Sequence, residues 1–452
     1  MNLESVKRIY FIGIGGIGMS ALARYFKKHG AEVHGYDRTE TDLTRALTND
    51  GIQVHYDDNP DMIPENVDMA VWTPAVPADH KELNWFREHG VPLKKRAEVL
   101  GIISKSRRCI AVGGTHGKTT TSTMTMWLLR ATGVDVTAFV GGISGNLGSN
   151  FIEGDSDWVV VEADEYDRSF LQLYPEVAVI NSVDADHLDI YGDEASVRKS
   201  YEQFAAQVRA GGLLLLQSPD VFQGKPWITD ALTMSFGVDS GDYRASNIRV
   251  ERGFTMFDLL TPGHGTLTNL QLPYPGLHNV CNATAAIAAT LYAGGDIAKI
   301  PAALADFKGV KRRFEYIART VKGTYIDDYA HHPAELEATI QAARSLFPGV
   351  KLTGVFQPHL FSRTRDFADA FAVALDKLDE CLLLPIYPAR ELPIEGITSE
   401  MILGKMKSSQ KQVIQKVDLL KTIDNKQPEL LITMGAGDID LFVQPFKQLF
   451  EQ

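Results

Sequence analysis

Residues 111–121, Ala-Val-Gly-Gly-Thr-His-Gly-Lys-Thr-Thr-Thr, constrain this chain more than any other stretch. Residues 108–112 before them are short and largely apolar and read as a buried strand. Residues 122–130 after them place Met124, Trp127 and Leu128 on one helical face. Strand, glycine-rich turn, Lys-Thr and helix together predict a phosphate-binding loop. Glycines let backbone N–H groups curl around phosphate oxygens, and the helix adds its positive N-terminal end. Gly114, Thr115, His116, Gly117, Lys118, Thr119 and Thr120 are the candidate contacts. Lys118 reaches the outer phosphates, and the Thr119 hydroxyl is a Mg²⁺ ligand. The loop is short: the common pattern has a glycine where this chain has Val112. Nucleotide binding follows from this stretch, but the use made of the nucleotide does not.

The length of 452 residues predicts two to four domains. A net charge of −12 argues against a nucleic-acid surface, although local cations and amides still suit small anions. Cys109, Cys281 and Cys381 lie far apart and offer neither a metal pattern nor a disulfide framework. The first residues are polar and no apolar run has membrane-spanning length. A cytoplasmic protein without membrane insertion is expected.

Residues 8–14 read as a strand and residues 19–26 as a helix, with Gly13-Ile14-Gly15-Gly16-Ile17-Gly18 between them. The strand 32–36 ends at Asp37. This is the Gly-x-Gly-x-x-Gly fingerprint in its strand–helix setting, which taken alone predicts a nicotinamide dinucleotide. Any diphosphate carrying a ribose fits the same helix end. Gly15, Gly16, Ile17, Gly18, Met19, Ser20 and Asp37 are the candidates. Residues 68–77 predict a strand and a Pro-rich loop with Thr73 at the crevice. Lys94-Lys95-Arg96 either meets an anion or forms a solvated basic turn. The first domain is expected to end near 104–107.

In the central region, 137–140 reads as a strand and 141–148 as a flexible loop beside the nucleotide. The strand 158–161 runs into Glu162-Ala163-Asp164-Glu165-Tyr166-Asp167, four acids in six residues. Carboxylates at the end of an apolar strand suit Mg²⁺. The strand 177–183 leads to His187, a candidate for metal or phosphate. Residues 231–272 alternate in short segments and predict antiparallel hairpins. Asn279 and Asn282 stand one turn apart on an Ala-rich helix, where amides suit a nucleobase edge. A hinge at 307–314, with Arg312 and Arg313, opens a further α/β region. Three of its strands end in polar clusters: Asp327-Asp328-Tyr329-Ala330-His331-His332, residues 357–366 with Arg363, and residues 435–438. Such recurrence marks the lip of an active site.

Taken together, these motifs resemble the Mur ligases, the ATP-dependent amino-acid-adding enzymes of peptidoglycan synthesis. The likeness covers essentially the whole chain and rests on residues 13–20, 114–121, 162–167, 184–189, 278–282, 327–333 and 357–366. It implies three α/β domains: a Rossmann-like UDP-sugar domain (1–106), a central phosphate-loop ATPase-type domain with an antiparallel annex (107–310), and a Rossmann-like amino-acid domain (311–452). It reassigns the first fingerprint, with Thr73 and Arg96, to a UDP diphosphate, and implies the short phosphate loop.

By the same resemblance, Glu162 and His187 join Thr119 as metal ligands, and Asn279, Arg313 and Asp328 as ATP contacts. Tyr329, His331 and Arg363 fall near the amino acid, with Lys118, His331 and Arg363 catalytic. The implied reaction joins L-alanine to the lactyl carboxylate of UDP-N-acetylmuramate, with ATP and Mg²⁺, in a monomer or homodimer. Two positions depart from the pattern. Leu360 stands where an arginine is common, and Tyr166 replaces a frequent Ser. That Tyr is shared with ligases recycling a whole tripeptide, the alternative within the family. A nicotinamide-dependent dehydrogenase is the alternative of another class and leaves the phosphate loop idle. A non-catalytic nucleotide-binding module is a third.

Overall fold

The computed structural model describes residues 3–184, 188–218, 227–251, 254–389 and 391–452. Alternating apolar strands and amphipathic helices build three sheets. The first runs in the order Gln53–His55, Glu32–Tyr36, Arg8–Ile12, Met69–Trp72, Leu93–Lys95. All four of its pairings are parallel. Ile9, Tyr10, Phe11 and Ile12 are fully buried, as a strand covered on both faces requires. Strand order reverses beside Arg8–Ile12, and a crevice opens at such a point. There Gly13, at φ 85°, turns the chain into the helix Ile17–Lys28.

The second sheet has ten strands. Arg108–Gly113 lies between Val177–Ile180 and Trp158–Glu162, parallel to both. The phosphate-loop strand is thus central, and its apolar residues are fully buried. Residues 231–272 add Leu232–Val238, Tyr243–Glu251, Phe254–Thr261 and Gly265–Leu272 to this same sheet. The expected hairpin pattern fails at the first of them: Leu232–Val238 pairs in parallel with both of its neighbours. A four-residue loop with Asp239 at φ 54° and Gly241 at φ 93° carries the chain back to permit this.

The third sheet runs Glu315–Arg319, Thr324–Asp328, Leu430–Met434, Leu352–Phe356, Glu380–Leu383, Lys411–Val413. Only its first pair is antiparallel.

The chain divides into two compact units. One comprises 1–249, 256–272 and 279–308; the other comprises 250–255, 273–278 and 309–452. Within the first unit, one apolar cluster runs from Phe11, Phe26 and Ile103 of the first sheet's layer to Val159, Phe170 and Tyr201 of the second. Among the described residues no helix is long and apolar enough to cross a membrane.

Candidate active site

The predicted phosphate loop follows the strand Arg108–Gly113 and ends in the helix Lys118–Ala131, which begins four residues before the apolar spacing alone implied. Two glycines make the turn. Gly114 takes φ 126°, and a Cβ there would meet Ser182 N at 2.8 Å. Gly117 takes φ 79°, where a Cβ would lie 2.5 Å from Asn282 Oδ1. The loop is pinned from the adjacent strand end. Thr115 Oγ1 donates to Asp184 O at 3.1 Å, and His116 N donates to Ser182 Oγ at 3.0 Å. Thr120 is buried on the first helical turn.

Lys118 folds back over this loop. Its Nζ donates to Gly114 O at 2.7 Å, to Thr115 O at 3.2 Å and to Glu165 Oε1 at 2.9 Å. Burial alone would depress the ammonium pKa; Glu165, with Asp164 and Glu162 beyond it, holds it above the ordinary value. The lysine is therefore a fixed positive charge at the foot of the loop.

Thr119 Oγ1 donates to Glu162 Oε1 at 3.1 Å, and Glu162 Oε2 accepts from Gly141 N at 2.9 Å. A hydroxyl and a carboxylate converging beside a phosphate loop are the hard oxygen donors Mg²⁺ takes. These two residues fit the ion. His187, the third predicted ligand, lies outside the described residues.

Beneath the loop runs a buried polar chain of which the sequence showed only one part. Asn181 Nδ2 donates to Thr121 Oγ1 at 3.0 Å, and Thr121 Oγ1 to Asn282 Oδ1 at 3.1 Å. Asn282 Nδ2 donates to Asn279 Oδ1 at 3.2 Å. The two asparagines do share a face. Asn279, only 5% exposed, spends its carbonyl on Asn282 and so joins the loop's support.

In the first sheet's crevice, Asp37 Oδ2 accepts from Gly15 N at 2.7 Å, and Thr73 packs against Gly13. Gly16, Ile17 and Gly18 open the helix. Met19 and Ser20 are buried; Met19 belongs to the core, and Ser20 Oγ donates to Ile17 O at 2.9 Å. Asn150, not signalled by any motif, donates through Nδ2 to Ser20 Oγ at 3.0 Å and accepts from Arg24 at 2.6 Å.

Arg96 lies against Gly18, so the basic turn does reach the diphosphate-type helix end. Its outer nitrogen donates to Asp164 Oδ2 at 2.9 Å, and Lys95 Nζ donates to Asp167 Oδ2 at 2.7 Å. The acidic segment is bent to meet them: Asp167 and Arg168 stand at φ 53° and 52°. Left-handed backbone costs about 1–2 kcal/mol per residue for such side chains.

The second unit holds its own cluster. Asp328 is buried, and its oxygens accept from Phe314 N and Ala330 N, both at 2.7 Å. Burial pushes its pKa up to about 6. Tyr329 lies under both Arg312 and Arg313, each 5.2 Å from its ring centre. Arg313 also approaches Glu335 at 3.9 Å. His331 donates through Nδ1 to Tyr329 O at 3.0 Å, which leaves the lone pair on Nε2. Burial pushes its pKa down to about 4; Glu335 opposes this and Arg363 reinforces it. Arg363, 8% exposed, opens the helix Phe361–Leu375, and the rings of His331 and His359 lie 6.0 Å apart. The Arg363 charge is thus close enough to bear on the His331 imidazole. Leu360 is buried at φ 72°, with its N–H on Tyr387 O.

Residues 8–108 match the Mur ligase family catalytic domain, 112–290 the Mur ligase middle domain, and 312–437 the Mur ligase glutamate ligase domain. UDP-N-acetylmuramate–L-alanine ligase of Cytophaga hutchinsonii is 48% identical, over 100% of this chain and 98% of that enzyme. The enzyme of the same name from Flavobacterium psychrophilum is also 48% identical, over 100% of both chains. The crystal structure of UDP-N-acetylmuramate–alanine ligase from Thermotoga maritima superposes with a TM-score of 0.84 at 30% identity, covering 98% of this chain and 99% of that one. A murein peptide ligase from Psychrobacter arcticus shares the fold, with a TM-score of 0.72 at 23% identity and 98% of each chain covered. Family models across all three sheets, and full-length relatives near half identity, place the chain in the Mur ligase family.

Proposed function

We propose that this chain uses ATP to join L-alanine to the lactyl carboxylate of UDP-N-acetylmuramate, a step of peptidoglycan synthesis, in the cytoplasm. The observation that carries the reading is the phosphate loop with Lys118 fixed at its foot and the Thr119–Glu162 oxygen pair beside it. The helix N-terminus at Ile17, with Asp37, Thr73 and Arg96 around it, takes the UDP diphosphate.

The lactyl carboxylate attacks the γ-phosphorus of ATP, the bond to ADP breaks, and an acyl phosphate forms. Both partners are anions, so the Lys118 ammonium offsets charge that grows in the transition state. Thr119, Glu162 and His187 would hold Mg²⁺, which when bound screens the phosphate oxygens. The alanine amine then attacks the acyl carbon, and the tetrahedral adduct collapses to an amide and inorganic phosphate. Arg363 grips the alanine carboxylate with two parallel hydrogen bonds. The uncharged His331 presents the Nε2 lone pair to the proton the amine sheds.

The test is phosphate release with ATP, Mg²⁺ and UDP-N-acetylmuramate against a panel of amino acids and the L-Ala-D-Glu-diaminopimelate tripeptide. Release should require the sugar nucleotide and be driven by L-alanine. Release with the tripeptide and none with alanine would transfer the assignment to the recycling reaction.

A further inference from the structure

Among the described residues, the acidic segment that follows the strand Trp158–Glu162 has a use the motif does not assign. Consecutive residues hold the key cation of each substrate site. Asp164 accepts from Arg96 at 2.9 Å, and Glu165 pairs with Lys118 at 2.8 Å. We propose that Asp164 and Glu165 are positioning residues that couple the sugar-nucleotide and ATP sites, each carboxylate occupying the cation its neighbouring site needs for phosphate. This rests on the reading of Arg96 and Lys118 as phosphate contacts.

The two carboxylates hang from one short segment whose backbone is held on both sides. Their Cα atoms are adjacent, about 3.8 Å apart. The chain is anchored just before them by Ala163 N on Val112 O at 2.8 Å. It is anchored just after them by Phe170 N on Asp164 O at 2.9 Å, with Phe170 fully buried. Tyr191 OH holds Glu165 O at 2.6 Å. Glu165 is 3% exposed, so it cannot exchange its counter-charge for water in place. When a triphosphate enters the loop it draws on Lys118 and repels Glu165. The carboxylate must shift, and Asp164 shifts with it. Arg96, already against Gly18 at the helix N-terminus, is then released to a diphosphate. Just beyond them, Arg168 stands in the left-handed region at φ 52°. Because coupling between binding sites is reciprocal, the sugar nucleotide must tighten ATP by the same factor.

Calorimetry on the full chain tests this, with UDP-N-acetylmuramate titrated with and without a non-hydrolysable ATP analogue and Mg²⁺. In the wild type the analogue should tighten the sugar nucleotide about tenfold. Asp164→Asn should bind it several-fold tighter than the wild type when the analogue is absent, a gain no merely damaged site would show. The analogue should then add less than about twofold. Glu165→Gln cuts the other arm. Its analogue-free affinity should stay at the wild-type value while the analogue's effect shrinks, and it decides the matter if Asp164→Asn does not fold. Full coupling retained in a folded variant, or none in the wild type, overturns the inference. A wild type that binds no UDP-N-acetylmuramate overturns the underlying functional reading, and the inference with it.

Discussion

Lys118 keeps its charge where burial would otherwise strip it, because Glu165 lies 2.8 Å away. A neutral side chain of similar length removes this charge together with its hydrogen bonds to Gly114 O, Thr115 O and Glu165. Lys118→Met is expected to lower kcat by about 10²–10³ or more, the loss seen when one preorganised transition-state partner is deleted. The melting temperature should fall, because the buried Glu165 carboxylate loses its counter-charge, while the variant still binds UDP-N-acetylmuramate; near-normal turnover would end the catalytic assignment. In the second unit, Leu360 is apolar, buried and at φ 72°, so it offers nothing to a carboxylate. Arg363, less than one helical turn further on, sits close enough to His331 to depress its pKa. Arg363→Lys keeps the charge and loses the planar fork. The KM for L-alanine should rise by about tenfold, near the loss of one charge-assisted hydrogen bond, while the KM for ATP moves little. A fall in kcat alone would assign Arg363 to the phosphate instead.

The helix Lys81–Glu88 shows how an element's end can govern stability. Asp58 accepts from Lys81 N and Glu82 N at 3.0 and 3.1 Å, and His80 lies 3.2 Å from Asp58. Glu82, fully buried, accepts from Tyr10 OH at 2.7 Å and Asn59 N at 3.1 Å. Asp58, His80 and Glu82 lie close enough together to share a metal ion; Asp58 and His80 Nδ1 also cap this helix start, and Glu82 accepts from Tyr10 and Asn59. Burial raises the Glu82 pKa from 4.5 to about 7. The folded state thus holds this proton more tightly than the unfolded chain. The stability it contributes is complete below pH 4.5 and is lost as pH rises through 7. Glu82→Gln should raise the unfolding free energy at pH 8 by on the order of 2 kcal/mol, and the melting temperature with it, and change little at pH 5. Equal effects at both pH values would show that the residue does not titrate in this range. Elements such as the phosphate loop were legible because their signals are local: glycines, a Lys-Thr pair and apolar spacing within eleven residues. The partners were not, since Arg96 meets Asp164 across 68 positions and Asn150 meets Ser20 across 130. The turn at 239–242 failed for a similar reason. Alternation shows a strand, but the backbone angles of the connection decide its direction.

At the scale of the molecule, the boundary near residue 106 separates two sheets that share an apolar cluster. The helix Arg96–Ser106 buries Val99, Leu100 and Ile103 in the cluster that also contains Phe170, Leu173 and Tyr201. Arg209 donates to the carbonyls of Ser104 and Arg107 at 2.9 Å, tying the helix end to the second sheet's layer. Tyr25 packs against Phe139 with ring centres 5.5 Å apart. Each sheet also has a buried cluster of its own, with Trp158 in one and Trp85 packed against the other, and the shared cluster between them should make the unit lose its parts together. Trp85, on the helix Lys81–Glu88 in the first sheet's layer, and Trp158, in the second sheet, are natural reporters. Single-tryptophan variants retaining one or the other should unfold in urea with midpoints agreeing within about 0.3 M, once each is corrected for its own stability loss. An isolated 1–106 fragment exposes the apolar face of Arg96–Ser106 and should melt without a cooperative transition. Well-separated midpoints, with Trp85 first, would mean that the first sheet stands alone and that its contacts with the second sheet serve binding and not stability. The same outcome would leave the Arg96–Asp164 pair as a hinge contact. Coincident midpoints make it part of a rigid frame that holds the two proposed phosphate sites at fixed separation, so that the proposed coupling must run through the acidic segment between them.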